Sequence, residues 1–524
     1  MTARPATLRP LPERPAGHPT PERPTGPSAN LVERLEEAAR DGGRLDRPAY
    51  IVQGRVFRHA DVYEGAARAA AAYAARGLGR GSRILIALPD GVDFVWAFLG
   101  ALRVGAVAVP VNSLLHPDEL RRAGEIAEPH AAVATPELAG HFAPPVVLTP
   151  DDLDADPARA GSAPPYAACS PDTPAFAVFT SGTTGDPRLC FHTHGDPEVF
   201  DLAIGTAVGV GPGDVCFSVS RLYFAYGLGN SLFLPLLRGA TTILSPPRAT
   251  EDDAVTVIKE HGVTVFYGQP SFYARLLGHP GHDVLGTLRT AVVAGEVLPE
   301  ALERRLRGIL GERLLNVFGT TEIGHAMLAN GPGVVREHTL GRVLPPYRVR
   351  VVDDDGREVP AGTEGSLQVA GPTIGPGVAR GGDAPARLTP DEWYTTGDAA
   401  TVDGDGFVRV HGRLDDIEIV GGANVHPSEI EDLLLEHPGV REAAVCSVRR
   451  GAGVSGLRAF VVPAEGAGDP ERLRAELLDT ARARLTWYKA PEDVVFVPEL
   501  PRNPTGKLLR RKLRLMAGKE GLRP

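Results

Sequence analysis

Cysteine is scarce in this chain. The four present, Cys169, Cys190, Cys216 and Cys446, lie far apart and show no C-x-x-C spacing, which argues against a zinc site and a disulfide framework. A reducing, cytoplasmic setting is the simplest expectation. Long apolar runs are missing as well. The longest, from Phe94 to Val111, is broken by Arg103, Gly105 and Pro110, so no membrane-spanning helix is expected. Excess positive charge is also lacking. The net formal charge is -10, and neither nucleic acid nor an anionic membrane is an expected partner. There is no repeat of solenoid period, no Walker A sequence, no serine-hydrolase elbow and no metalloprotease motif. Residues 1–28 are rich in Pro and Arg without an apolar run, unlike a secretory signal. Residues 1–29 read as a disordered extension.

What is present is the composition of a folded protein, 43% hydrophobic and 23% charged over 524 residues, enough for about three structural units. From Asn30 onward, strand-like and helix-like segments alternate. "SRILIALP" (82–89), "AVAVPVN" (106–112), "TVFYG" (264–268), "LRTAVVAGE" (288–296) and "RLLNVFG" (313–319) read as strands. "DFVWAFLGALRVG" (93–105) and "PEALERRLRGIL" (299–310) read as helices. This alternation predicts an α/β fold of parallel sheets covered by helices, with ligand crevices at the carboxyl ends of the strands. Near Gly412 the texture changes. A helix over 426–440 is expected to open at Pro427, to bury Ile430, Leu433 and Leu434, and to stop at Pro438-Gly439. Two strands and a helix over 470–485 follow. The expected division is 30–413, a large N-terminal domain, and 414–524, a small α+β domain.

"VFTSGTTGDPRL" (178–189) leaves the first apolar strand of its region. Gly182 and Gly185 let backbone approach an oxyanion, Thr180, Ser181, Thr183 and Thr184 supply hydroxyls, and Arg188 adds a fixed charge, a combination suited to phosphate. Alone, such a run is equally a plain turn. Four further segments fit the same chemistry: "NVFGTTEIGH" (316–325) with Thr321 and Glu322, "WYTTGD" (393–398) with Asp398, "GRLDD" (412–416) with Arg413, and "PRNPTGK" (501–507) with Lys507. Singly these read as a helix cap, a turn, a surface charge and one cation of a basic tail. Five in this order do not read as accident.

These motifs resemble the acyl-adenylate-forming superfamily of acyl-CoA synthetases, nonribosomal-peptide adenylation domains and firefly luciferase, over about Asn30 to Leu515. The resemblance implies a large N-terminal domain with two parallel-rich sheets and a small β-barrel, then a small mobile C-terminal domain. It implies that Thr180, Ser181, Gly182, Thr183, Thr184, Gly185 and Arg188 grip the β- and γ-phosphates of ATP. Thr321 would touch the α-phosphate, and Glu322 would hold magnesium. Asp398 and Arg413 would take the ribose, while Gly295, Glu296 and Val297 with Asn316, Val317, Phe318 and Gly319 surround the adenine. Asp415 would be the hinge, Gly421 and Gly422 the passage for a pantetheine arm, and Lys507 the bridge between substrate carboxylate and α-phosphate.

Within the superfamily, "CFSVSRLYFAYGLGN" (216–230) and "GTTEIGHAMLAN" (319–330) are most similar to benzoate-CoA ligases. That similarity implies an acid pocket of Phe224, Ala225, Tyr226, Gly319, Ile323 and His325. No Asp lies in 221–230 to pair a substrate ammonium, which disfavours an amino acid. The expected activity is ATP-dependent conversion of an aryl acid, plain or hydroxy- or amino-substituted, to acyl-AMP, followed by transfer to coenzyme A. Loading of a phosphopantetheinyl carrier protein is the alternative, a catalytically silent nucleotide-binding protein the remote one, and a homodimer is compatible with either. Three features depart from the pattern. Arg188 and Leu189 stand where the family has Lys and Gly, Glu418 where many relatives have Lys, and the 448–460 loop carries Arg449 and Arg450 but lacks a common acidic residue.

Overall fold

A computed structural model describes residues 29–154, 163–180, 188–245, 249–375, 388–416, 418–420, 423–449, 455–502 and 508–519. Two parallel-rich sheets dominate. The larger has nine strands, in the order Arg342–Val343, Ala326–Asn330, Leu314–Gly319, Thr290–Val293, Val265–Gly268, Val215–Ser218, Thr241–Leu244, Pro48–Val52 and Arg55–Arg58. Its central pairings are parallel and its edges antiparallel. The smaller has six strands, in the order Val146–Leu148, Ala131–Ala134, Arg83–Ala87, Val107–Pro110, Pro174–Thr180 and Arg188–Thr193, with only the last pair antiparallel.

Helices Leu31–Asp41, His59–Ala74 and Val92–Arg103 share one apolar core with both sheets. Leu35, Ala66, Ala69, Phe94 and Phe98 from the helices meet Tyr50 of the larger sheet and Ile84, Ile86 and Phe176 of the smaller. The core is closed by small residues: Ala66, Ala69 and Ala70 are fully buried where two helices press together. Asn30 caps the first helix, accepting from Val32 N–H at 3.1 Å and donating to Leu102 carbonyl at 3.0 Å, so the chain is anchored where the expected disordered extension ends.

The small barrel implied by the resemblance corresponds to a four-stranded antiparallel meander, Arg348–Val352, Gly365–Ala370, Tyr394–Val402 and Val408–Arg413, whose outer strands do not pair with each other among the described residues. The C-terminal unit follows: hairpin Glu418–Val420 and Ala423–Val425, helix Pro427–Leu435, strands Val440–Arg449 and Ser455–Pro463, helix Pro470–Arg484, strand Asp493–Phe496 and helix Arg510–Lys519. Pro427 sits in the first helical turn and Ile430, Leu433 and Leu434 are buried, as their spacing predicts. Two apolar clusters built wholly from this unit form its core. Glu418, one of the departures, is buried and paired with Arg514 at 2.8 Å. Leu189, another, is fully buried in the core of the smaller sheet.

The C-terminal unit meets the rest through polar groups. His426 pairs with Glu364 at 2.9 Å, Ser428 Oγ donates to His411 carbonyl at 2.6 Å, and Glu436 faces Arg304 at 3.9 Å. Asp432 lies between Glu431 and Glu300, with Arg409 nearby. Burial and then these two carboxylates push its carboxyl up to about 8 from 3.8. A docked Asp432 therefore keeps a proton that a solvated carboxyl releases. Its contribution is complete below 3.8 and is lost as the pH rises through about 8. The expected result is a thermal unfolding midpoint that falls with rising pH across this window, and falls less in Asp432→Asn; parallel pH profiles for the two proteins would refute it.

Candidate active site

The carboxyl ends of strands Val265–Gly268, Thr290–Val293 and Leu314–Gly319 open into a cleft of about 1340 Å³, where parallel α/β sheets place ligands. Its walls include Thr180, Arg188, Ala225, Tyr226, Gly295, Glu296, Asn316, Thr321, Glu322, His325, Asp398 and Arg413. Residues drawn from four of the sequence motifs thus face one space. Among the described residues no group of three His, Cys, Asp or Glu side chains is placed to hold a metal ion.

The turn Thr320–Gly324 is held carbonyl by carbonyl. Thr321 carbonyl accepts from Gly324 N–H at 3.1 Å and faces His192 Nε2 at 2.9 Å. Glu322 carbonyl accepts from Gly375 N–H at 2.9 Å. Ile323 carbonyl accepts from Thr373 Oγ1 at 2.7 Å, and Thr373 also meets Tyr347 Oη at 2.8 Å. Gly324 adopts φ 90°, open to glycine and strained for other residues. The Thr321 and Glu322 side chains are half-buried and turned to the cleft. Tyr394 faces Glu322; burial first, and then this carboxylate, push its phenol upward.

Thr180 and Arg188 are register partners at the open end of the Pro174–Thr180 and Arg188–Thr193 hairpin. The five loop residues Ser181, Gly182, Thr183, Thr184 and Gly185 lie outside the described residues, as do Gly421, Gly422, Arg450 and Lys507; so do the side chains of Asp415 and Arg449. Asp398 and Arg413 are register partners on adjacent strands, their side chains 3.5 Å apart, and Arg413 Nη1 also donates to Thr396 carbonyl at 2.7 Å. Asn316 is 5% exposed and its Oδ1 has no hydrogen-bond partner. A buried acceptor left open at a cleft wall suits a ligand N–H donor. Val317 is buried, Phe318 half-buried, and Val297 is an exposed apolar side chain on the cleft.

Glu296 lines the cleft, but its carboxylate is engaged elsewhere. It accepts from Ser271 N–H and Oγ, both at 3.0 Å, and pairs with Arg502 at 3.2 Å. Arg502 simultaneously pairs with Glu442 at 2.8 Å. This residue, next to the segment that carries Lys507, ties the C-terminal unit to the cleft rim.

Of the residues expected to form an acid pocket, Phe224, Ala225, Tyr226, Gly319 and His325 line the cleft. Ile323 is fully buried in the core and does not line the cleft. Buried Asp90 accepts from Leu222 N–H at 3.2 Å and pairs with Arg221 at 3.4 Å, fixing the loop before Phe224. Burial dominates and moves Asp90 up to about 6, against the opposing pull of Arg221. Residues Gly229–Phe233 form a π-helical turn, a local widening frequent at functional sites. It brings Asn230 Oδ1 to 3.1 Å from His325 Nε2, while His325 Nδ1 accepts from Ala326 N–H at 2.8 Å. The ring is therefore neutral with its proton on Nε2, and burial lowers it to about 4. Tyr226 packs edge-on to His325 at 5.9 Å.

The sequence motifs do not point to His192, Asp196, Asn230, Tyr394 or Arg502. His192 follows the expected phosphate loop closely, and that proximity was the available signal. Asp196 lies four residues beyond His192, while Asn230, Tyr394 and Arg502 fall inside quoted segments and act through contacts distant in sequence.

Comparison with known proteins finds relatives over most of the chain. Residues 35–381 match the model of the AMP-binding enzyme family, and residues 429–507 that of the AMP-binding enzyme C-terminal domain. The p-hydroxybenzoic acid--AMP ligase FadD22 of Mycobacterium tuberculosis is 38% identical over 93% of this chain and 69% of its own length. The benzoate--CoA ligase of Thauera aromatica is 35% identical over 84% of this chain and 86% of its own. The crystal structure of a benzoate CoA ligase from Burkholderia xenovorans LB400 superposes with a TM-score of 0.82 at 32% identity, covering 93% of this chain and 99% of that one.

Gly229 tests the pocket wall. A Cβ there would lie 1.9 Å from His325 Cδ2, and the ring is held at both nitrogens. On an unobstructed helix Gly→Ala gains up to about 1 kcal/mol. Gly229→Ala is instead expected to lose about 1–3 kcal/mol by overpacking and to raise KM for the acid. Denaturant unfolding with acid-dependent kinetics checks both, and a stabilised variant with unchanged KM would refute the placement.

Proposed function

Because the chain belongs to the AMP-binding enzyme family, we propose that its cleft joins an aryl carboxylic acid to AMP, releasing pyrophosphate, and then transfers the acyl group to the thiol of coenzyme A. The observation that carries this reading is the convergence of Thr180 and Arg188, Thr321 and Glu322, and Asp398 and Arg413 on one cleft whose inner wall is the aromatic pair Tyr226 and His325. Similarity to a p-hydroxybenzoic acid--AMP ligase and to benzoate--CoA ligases supports an aryl acid.

A carboxylate is a poor electrophile, and its attack on the α-phosphorus of ATP brings two anions together. Catalysis then rests on fixed cations and donors. In this reading Arg188, Thr180 and the loop Ser181–Gly185 hold the β- and γ-phosphates. Arg keeps the charge of the family's Lys and adds a planar fork suited to phosphate oxygens. Thr321 orients the α-phosphate, Asp398 accepts from ribose hydroxyls with Arg413 beside it, and the open Asn316 Oδ1 accepts from the adenine amino group. The residues fit magnesium: Glu322 offers one carboxylate, and this ion takes one or two together with substrate phosphates. When bound, it neutralises charge on the leaving pyrophosphate. Lys507 screens the substrate carboxylate from the α-phosphate. The acid's ring lies against Ala225, Tyr226 and His325, where the wall carries no charge.

The thiol step needs Lys507 elsewhere. Rotation about Asp415 would withdraw it and bring Gly421 and Gly422 to the site for the pantetheine arm, a gating of two reactions by one hinge. A second acceptor, a carrier-protein phosphopantetheine, is kept because the FadD22 relative is named for its AMP product. Comparison of thioester yield with free CoA and with a loaded carrier separates the two.

Two results are expected. Wild-type protein with ATP and magnesium releases pyrophosphate with benzoate or hydroxybenzoates and far less with short aliphatic acids; no release with any aryl acid refutes the proposal. Lys507→Ala nearly abolishes adenylate formation, by about 10²-fold or more, yet largely preserves thioester formation from supplied acyl-AMP. Equal loss in both half-reactions would remove Lys507 from its assigned role.

A further inference from the structure

His192 and Asp196 stand behind the Thr320–Gly324 turn, and neither is used in the reaction outlined above. His192 lies one residue before the end of the hairpin strand Arg188–Thr193 and its side chain is 0% exposed; that of Asp196 is 4% exposed. His192 Nε2 lies 2.9 Å from Thr321 carbonyl, an atom that only accepts. His192 Nδ1 lies 3.2 Å from Asp196 Oδ2. The same Asp196 carboxylate takes Thr193 N–H on Oδ2 at 3.1 Å and Thr193 Oγ1 on Oδ1 at 2.9 Å. A carboxylate that receives a backbone N–H on the oxygen facing the ring is an acceptor there. Both ring nitrogens therefore face acceptors, and a neutral imidazole has only one N–H.

The ring cannot tilt away from either partner. Phe176 stacks on it at 5.1 Å, Phe200 closes its edge at 6.1 Å, and Gly324 approaches so closely that a Cβ there would be 2.9 Å from His192 Cε1. His325 differs in this respect. That ring meets one donor and one acceptor and is satisfied as a neutral imidazole.

We propose that His192 is held as an imidazolium by Asp196, and that this buried ion pair is the positioning device for the Thr321–Glu322 segment. It donates one hydrogen bond to the turn and keeps a fixed positive charge directly behind the residues that face the nucleotide phosphates. A buried charge is sustained only when paired and fully hydrogen-bonded, and the three contacts to Asp196 meet that condition. The pair rests on the adenylating function for its consequence, although its charge state does not.

The test separates the two. Full-length protein carrying 15N-labelled histidine is examined by long-range proton–nitrogen correlation at about pH 8, above the ordinary histidine range. The resonances absent from His192→Gln identify the ring. Two protonated ring nitrogens are expected, with the Nδ1 proton lost in Asp196→Asn; a neutral ring in wild type overturns the proposal. In kinetics, His192→Gln keeps an amide donor for Thr321 and removes the charge. Its kcat for pyrophosphate release should fall roughly tenfold, less than the roughly hundredfold cost of deleting a direct oxyanion donor, while KM for the acid stays within about twofold. Asp196→Asn should reproduce that split, and serves if the glutamine variant does not fold. Unchanged kcat in the folded variants also overturns the proposal. Absence of pyrophosphate release by wild type would defeat the adenylating function, and the nitrogen spectrum would still decide the charge state of His192 by itself.

Discussion

The site depends on satisfying the backbone of one five-residue turn. Thr320–Gly324 is neither helix nor strand, so its carbonyls have no ladder to join, and a buried carbonyl without a donor costs about 1–3 kcal/mol. Thr320 carbonyl accepts from the turn's own Ile323 and Gly324 N–H groups, while three are met from elsewhere in the chain, Thr321 by His192, Glu322 by the Gly375 backbone and Ile323 by Thr373. Those donors belong respectively to the smaller sheet and to the segment after strand Gly365–Ala370. The turn thus fixes the relative placement of three layers. With these carbonyls engaged, the Thr321 and Glu322 side chains are left to the cleft.

The same cleft borders a contact of the opposite character. The apolar cores of the C-terminal unit contain none of the residues of the larger body, while the polar contacts between them include Arg502 with Glu296, His426 with Glu364, Ser428 with His411 and Glu436 with Arg304. Polar interfaces within a chain favour relative motion. A unit with a self-sufficient core and a polar seam is suited to occupying more than one position. Arg502 ties that seam to the cleft, because it grips Glu296 of the cleft wall.

Much of this was legible because the elements are continuous in sequence. The expected strand 264–268 is Val265–Gly268, the helix 299–310 is Glu300–Leu310 and the helix 470–485 is Pro470–Arg484. The cleft-facing side chains sit within short motifs at the ends of such strands. The unread residues work across the fold. His192 matters because Thr321, far along the chain, is the acceptor opposite it, and Asn230 because a π-helical turn aims it at His325. Ile323 was misplaced for a related reason. It follows two cleft residues, and the hydrogen bond from Thr373 to its carbonyl turns the side chain into the core.

The distribution of charge across the cleft constrains what the pocket can discriminate. Of its cations, Arg188 and Arg413 line it together with Glu322 and Asp398, and Arg409, Arg484 and Lys489 line it as well. The inner wall offers Ala225, a neutral His325 and Tyr226, whose phenol burial keeps protonated. Burial of an aromatic ring there supplies binding in proportion to area, about 25 cal/mol per Å², and such a wall separates substrates differing by one methylene by only about 1–3 kcal/mol. A charged ring substituent meets a larger barrier, because the wall holds no counter-ion and desolvation goes uncompensated. With the ring placed against this wall as proposed, selectivity for a singly charged acid would follow from the wall's neutrality, and the two hydrogen bonds that fix His325 would keep the pocket's shape from relaxing around larger rings.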